Sequence, residues 1–263
     1  MQLDYINIGK RPGKCGFGGS EFIRKIKTEN PTVLTMTSIK DNPVIGIAGQ
    51  TPLNKVIKVE NIPTNAQIVR TYYSGENVPN TGAIVLDNDF IWLVLFMPKN
   101  YDVQEVTKKL MASVAEAAHK NKVKVFAVDN DIFMDTGEHK KKFCGYSLHE
   151  WEGWWSMEVF ISLEVNWEIM RVIYDFTAEK FTKKGNFGDI SNIVGGLKEC
   201  NPNLDYSFSQ EVIEAIGNRF KLEVKPRILT DEEEKDYQWL IEQMDIDSWK
   251  YDGIYPFQKL WIF

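Results

Sequence analysis

Eight apolar residues in an unbroken row, Phe90-Ile-Trp-Leu-Val-Leu-Phe-Met97, constrain this chain more than any other feature. The run is less than half of the ~20 residues a bilayer helix needs. It reads instead as a fully buried strand, bounded by turn-forming residues on its amino-terminal side. Four more strand-like runs precede it, Val33–Met36, Pro43–Ile47, Ile68–Tyr72 and Gly82–Leu86, so a sheet is expected between Thr32 and Met97. Asp87-Asn88-Asp89 tolerates tight turns and predicts an antiparallel hairpin between the last two runs.

Helical spacing follows. Val103, Val106, Leu110, Val114 and Ala117 recur at steps of three and four behind Asp102-x-x-Glu105, a capping-box start. Strands return at Val123–Val128 and Ser156–Ser162, and a second helix is expected from about Trp167 to Lys184, with Gly185 as its C-cap. The fold class is α+β, a mainly antiparallel sheet packed with helices. After Leu197 the composition changes, and Asn201-Pro-Asn203 breaks the pattern. One short helix there buries Val212, Ile213, Ile216 and Phe220. Another starts at Thr230-x-x-Glu233 and buries Tyr237, Leu240, Ile241 and Met244. The chain therefore divides into residues 1–198 and a small carboxy-terminal helical subdomain, 199–263.

Composition excludes several function classes. With 31 Lys and Arg against 37 Asp and Glu, the net charge of −6 argues against a general nucleic-acid binder. At 43% hydrophobic residues the chain buries a sizeable core, and disorder is excluded. The amino terminus shows neither a basic region nor an apolar stretch of the secretory kind, and no membrane span is read anywhere, so a cytoplasmic protein is expected. Cys15, Cys144 and Cys200 form no CxxC pair and read as reduced thiols.

No Walker loop, GxGxxG, HExxH or GxSxG is present. Gly13-Lys-Cys-Gly-Phe-Gly-Gly19 is either an anion cradle or an amino-terminal loop. His139, Cys144 and His149 fall five apart, a spacing that suits neither a helix face nor a strand face as a metal site. The lysines of Glu138-His-Lys-Lys-Lys-Phe-Cys-Gly145 either bring one ammonium to an enclosed anion or form a solvated turn leading into a strand. Arg70 ends a β-like run, where its fork suits a phosphate or carboxylate. Asp129-Asn130-Asp131 is either an oxygen-ligand site for Mg²⁺ or an Asx turn. Trp151, Trp154 and Trp155 offer an apolar wall.

Taken in order, these segments resemble the lipoate-protein ligase family of the biotin/lipoate ligase superfamily. Pro43-Val-Ile-Gly46 followed by Gly49-Gln-Thr-Pro52 resembles the family's strand and its glycine, glutamine and proline stretch. Ile68-Val-Arg70, Ser74-Gly75 and Gly82-Ala-Ile-Val-Leu-Asp87 resemble its arginine and glycine-rich signature. Asn130-Asp131-Ile132 and Lys142-Phe-Cys-Gly145 resemble its Asn-Asp turn and its lysine-x-x-glycine motif. Gly188–Leu197 and Trp249–Gly253 with Pro256-Phe257 complete the ordered set, which spans about residues 31 to 257.

The resemblance implies an enzyme that activates a lipoyl or medium-chain acyl acid with ATP and Mg²⁺ and passes it to a lysine of a lipoyl-carrier domain. Residues 1–198 would be the catalytic domain and residues 199–263 an accessory one. It assigns Lys142 the catalytic role and Arg70, Ser74, Gly75, Gly82, Ala83, Asn130, Asp131 and Gly145 the binding of substrate and adenylate. Metal ligands are left unassigned. The glycine loop diverges, reading Ser74-Gly-Glu-Asn-Val-Pro-Asn-Thr-Gly82, with Thr71 where a second arginine is common. The other reading is therefore a ligase-like binding or interaction module that has given up adenylation.

Overall fold

The computed structural model describes residues 1–10, 30–37, 43–48, 52–55, 57–71, 83–86, 89–128, 131–151, 153–173, 190–244 and 246–254. Among these residues, eleven strands form two sheets. The first holds eight strands in the order β11-β1-β2-β6-β10-β9-β8-β7. These are β1 (Gln2–Lys10), β2 (Thr32–Thr37), β6 (Phe90–Pro98), β7 (Val125–Val128), β8 (Asp131–Asp135), β9 (Lys140–Trp151), β10 (Trp154–Ser162) and β11 (Glu223–Pro226). Both partners of β1, namely β2 and β11, run parallel to it. The remaining pairings of this sheet are antiparallel. The second sheet, β4-β3-β5, joins β3 (Val44–Ala48), β4 (Gln67–Thr71) and β5 (Ala83–Leu86).

The apolar run is β6, a central strand of the eight-stranded sheet, and all its residues from Phe90 to Met97 are buried. On one face Ile91, Leu93, Leu95 and Met97 share a core with helix α1 (Val103–Lys120) and helix α3 (Phe208–Phe220). The predicted stripe of α1 is confirmed, with Val106, Leu110, Val114 and Ala117 all buried. The Asp102 side chain accepts the Glu105 N–H at 2.8 Å and so caps the helix start. Leu204, Phe208, Val212, Ile213, Ile216 and Leu222, all beyond residue 198, belong to this same apolar cluster. The chain then adds β11 to the edge of the large sheet.

Helix α4 (Asp231–Met244) belongs to the other face. Its Tyr237 is fully buried, and the hydroxyl lies 3.8 Å from the Met36 sulfur of β2. The capping box is complete: Glu233 N–H donates to Thr230 Oγ1, and Thr230 N–H donates to the Glu233 carboxylate. Arg227 adds a two-pronged ion pair to the same carboxylate. Burial alone would raise the Glu233 pKa, but Arg227 and Thr230 hold it below the ordinary carboxylate range. The expected burial of Leu240, Ile241 and Met244 concerns side chains outside those described. Among the described residues, no helix is long and apolar enough to cross a membrane.

The small sheet has its own core. Ile45, Leu53 and Ile57 pack with Met170 and Ile173 of helix α2 (Trp167–Ile173). Lys58 N–H donates to Ile173 O at 2.7 Å, and Leu53 N–H donates to Tyr251 O just past helix α5 (Asp247–Lys250). The rest of the helix expected up to Lys184, and its cap Gly185, lie outside the described residues.

The structure corrects two expectations. The strands between Thr32 and Met97 belong to two sheets rather than one. β5 and β6 form no hairpin: β5 pairs with β3, whereas β6 pairs with β2 and β10. The reason lies in Asp89, whose carbonyl accepts the N–H groups of Leu163 and Glu164 beyond β10. Its carboxylate is ion-paired to Lys198 and accepts the Tyr206 hydroxyl at 2.8 Å. Burial raises the Asp89 pKa, yet Lys198 and Tyr206 hold it below the usual range. That segment is tied to the end of β10. β1 and β11 are strands that the hydrophobic pattern did not announce.

Candidate active site

A lysine-x-x-glycine spacing places its two ends on opposite faces of a regular strand, because side chains alternate. Lys142 and Gly145 lie on β9, where the register against β8 shifts. Asp131 pairs with Gly145 and Ile132 with Cys144, but Phe133 pairs with Lys142, leaving Phe143 as an extra residue. Such a bulge turns two successive side chains to one side. Phe143 and Cys144 accordingly both enter the helix-covered core. Lys142 and Gly145 are thereby brought to the opposite face together with Asp131.

The Lys142 ammonium sits 2.7 Å from Asp131 Oδ1, and both side chains remain partly exposed. A Cβ on Gly145 would lie 3.0 Å from Asp131 Oδ1 and 3.1 Å from both Cε and Nζ of Lys142. Glycine therefore lets the ion pair settle directly over the strand. The three consecutive lysines have separate partners. Lys140 lies over the Phe126 ring at 5.0 Å, Lys141 pairs with Glu199 at 2.5 Å, and Lys142 meets Asp131. The solvated turn is Thr136 to His139, and the lysines belong to the strand after it.

The bulge is held from outside the sheet. Lys142 N–H donates to Ile193 O at 2.7 Å, and Gly195 N–H donates to Lys142 O at 3.0 Å. Gly195 and Gly196 approach closely enough that a side chain on either would collide with neighbouring atoms. Glu199 accepts the Gly196 N–H while paired to Lys141, locking the segment to β9. The sequence reading gave this segment no positioning role. Its adjacent glycines were the available signal.

One cross-strand row runs from this ion pair. Asp131 pairs with Gly145, Gly145 with Phe160, Phe160 with Trp92 and Trp92 with Met36. Phe160 stacks on Phe90 at 5.0 Å and meets Trp92 edge-on at 5.5 Å. The lysine thus stands at one end of an aromatic wall.

In the small sheet, Ile47 pairs with Arg70 on one side and with Ala83 on the other, so these two residues occupy one rung. The Arg70 side chain lies outside the described groups. Ser74, Gly75, Gly82 and Asn130 lie outside the described residues, as does Gly13–Gly19.

Among the described residues, no group of three or more His, Cys, Asp or Glu is placed to hold a metal ion. His139 is exposed in its turn, whereas burial pushes the His149 imidazole below its ordinary pKa. Cys144 is fully buried, and burial pushes its thiol far above the usual range, with Lys142 opposing weakly. Iodoacetamide is expected to leave Cys144 unmodified in the folded protein and to alkylate it after denaturation, as read by peptide mass. Rapid alkylation of the native protein would contradict this burial. Trp155 packs against the helix-covered core rather than beside Lys142.

No family model matches the chain, and no curated protein matches it by sequence. Solved structures do match. The bi-partite lipoate protein ligase of Thermoplasma acidophilum superposes with a TM-score of 0.76 at 14% identity, over 96% of this chain and 97% of that one. Lipoate-protein ligase A bound with ATP gives 0.72 at 13% identity, over 96% and 99%. P. falciparum LipL1 in complex with lipoate gives 0.67 at 10% identity, over 95% and 74%. The chain therefore shares its α+β fold with these lipoate protein ligases. At these identities the likeness is one of fold, and chemistry has to be argued from the residues.

Proposed function

We propose that this protein is an ATP-dependent ligase that activates a lipoyl or medium-chain acyl carboxylate and transfers the acyl group to a lysine of a lipoyl-carrier domain. The observation that carries this reading is Lys142: a partly exposed ammonium, fixed by a bulge and set over a glycine at the end of an apolar wall. The likeness in fold to ligases that have ATP or lipoate bound supports it.

In the first step a carboxylate oxygen attacks the α-phosphorus of ATP and pyrophosphate leaves. In the second the carrier amine attacks the acyl carbon, AMP leaves, and the amine gives up its proton. Both steps build negative charge on oxygen, which a fixed ammonium stabilises. Lys142 is assigned that role, and Asp131 holds its ammonium in place until the substrate anion arrives. Gly145 leaves room for that ammonium to sit directly over the strand. Arg70, with Ser74, Gly75, Gly82, Ala83 and Asn130, is assigned to the substrate and adenylate. Mg²⁺ would enter with ATP and offset phosphate charge. Asp131 offers it one carboxylate, which suits an ion held mainly by phosphates and water.

Acid-dependent exchange of pyrophosphate into ATP tests the reading, with lipoic and octanoic acids supplied in turn. Exchange that requires the acid is the expected result. The rewritten 74–82 loop favours a second reading, a binding module without adenylation. Binding of a lipoyl-adenylate analogue by a protein that catalyses no exchange would decide for it.

A further inference from the structure

Among the described residues, two buried polar atoms on the face that carries Lys142 have no hydrogen-bond partner: Trp92 Nε1 and Ser162 Oγ. Trp92 is 9% exposed and Ser162 5%. Their placement follows from the register. Phe160 pairs with Trp92 and Ser162 with Phe90, and Phe160 also pairs with Gly145, so all five share one face. Ser162 stands on β10 just past the residue opposite Cys144, beside the bulge that carries Lys142. Trp92 lies one strand further along the aromatic wall. Trp155 Nε1 also lacks a partner, but it is on the opposite face, beneath Lys99.

Buried donors are nearly always satisfied, and an orphan costs stability. Here two orphans adjoin one candidate site. Phe90 and Phe160 build the same wall from hydrocarbon alone, so packing does not account for an indole N–H at position 92. An indole N–H only donates, and a serine hydroxyl donates as well as accepts.

We propose that Trp92 and Ser162 are ligand-binding donors, and that the acid this site takes carries a hydrogen-bond acceptor on its acyl body rather than being a plain alkyl chain. This rests on the acid-binding reading above and refines its substrate class. A site built to donate to an acceptor discriminates strongly against the analogue lacking one, because its donors are then left unpaired.

The test is calorimetric titration of the full chain with octanoate and with each mono-oxo-octanoate, in the wild type, Ser162→Ala and Trp92→Phe. At least one oxo isomer is expected to bind the wild type about 10-fold or more tighter than octanoate. That preference should largely vanish in either variant. Ser162→Ala should melt at or above the wild-type temperature, since it removes an unpaired hydroxyl. The proposal is overturned if no oxo isomer is preferred, if the preference survives both substitutions, or if Ser162→Ala melts well below the wild type. Pyrophosphate exchange run in parallel separates the two ideas. Exchange with octanoate but no oxo preference sinks this inference alone, and oxo preference without exchange sinks adenylation alone. Failure of every acid to bind overturns both.

Discussion

Lys142→Ala is expected to lower acid-dependent pyrophosphate exchange by about 10²- to 10³-fold, the range seen when one fixed transition-state donor is removed. The protein should stay folded. The Lys142–Asp131 pair is partly exposed on both sides, at 40% and 36%, so its loss removes little stability. Lys141→Ala is the informative control. Its ammonium, 12% exposed, engages Glu199 and holds the 193–196 segment against β9. Stability should fall there, with exchange retained in whatever fraction remains folded. Equal exchange in Lys142→Ala and wild type would remove Lys142 from the chemistry. A loss in Lys141→Ala alone would transfer the role to its neighbour.

The contrast between adjacent lysines marks where a sequence stops being readable. Hydrophobic pattern carried the local elements: the run at Phe90–Met97, the stripe of α1 and the Thr230–Glu233 box all appear where spacing puts them. Partners were harder. Strand pairing is non-local, and nothing in the run before Leu86 says that β5 joins β3 rather than β6. Asp89 looked like turn chemistry because its ties to Leu163, Lys198 and Tyr206 come from far along the chain. β1 pairs in parallel with β2 and β11, which a hairpin-based reading does not seek.

The candidate site divides along the same line. The family resemblance singled out Lys142, Asp131 and Gly145, and the structure brings these three together. The bulge that makes this possible is one extra residue in a register, invisible without the partner strand. Arg70 and Ala83 share a rung only because Ile47 stands between them. Neither Trp92 nor Ser162 stood out in the sequence, since an orphan donor is defined by surroundings that only packing creates.

Gly196→Ala should have the largest effect on stability, about 3 kcal/mol, at the upper end of what overpacking usually costs. A Cβ there would lie 2.3 Å from Leu163 O, 2.5 Å from Leu163 C and 2.6 Å from Glu164 N. These are backbone atoms, and they cannot withdraw. Leu163 and Glu164 both donate to Asp89 O, and Leu163 O accepts the Lys198 N–H at 2.9 Å. The new methyl must therefore push residues 193–196 away from the sheet. Lys142 would then lose its main-chain partners Ile193 and Gly195, so site and fold fail together. Gly195→Ala provides the comparison. Its Cβ meets only side-chain atoms, Glu199 Oε1 at 2.3 Å, Met134 Cε at 2.7 Å and Lys141 Cδ at 2.9 Å, and those ends can rotate aside. Its cost should be about half as large, within the same overpacking range. Urea denaturation of both variants reads the difference. A Gly196→Ala midpoint indistinguishable from wild type would mean that this segment does not hold the bulge, and that Lys142 is positioned by β9 alone.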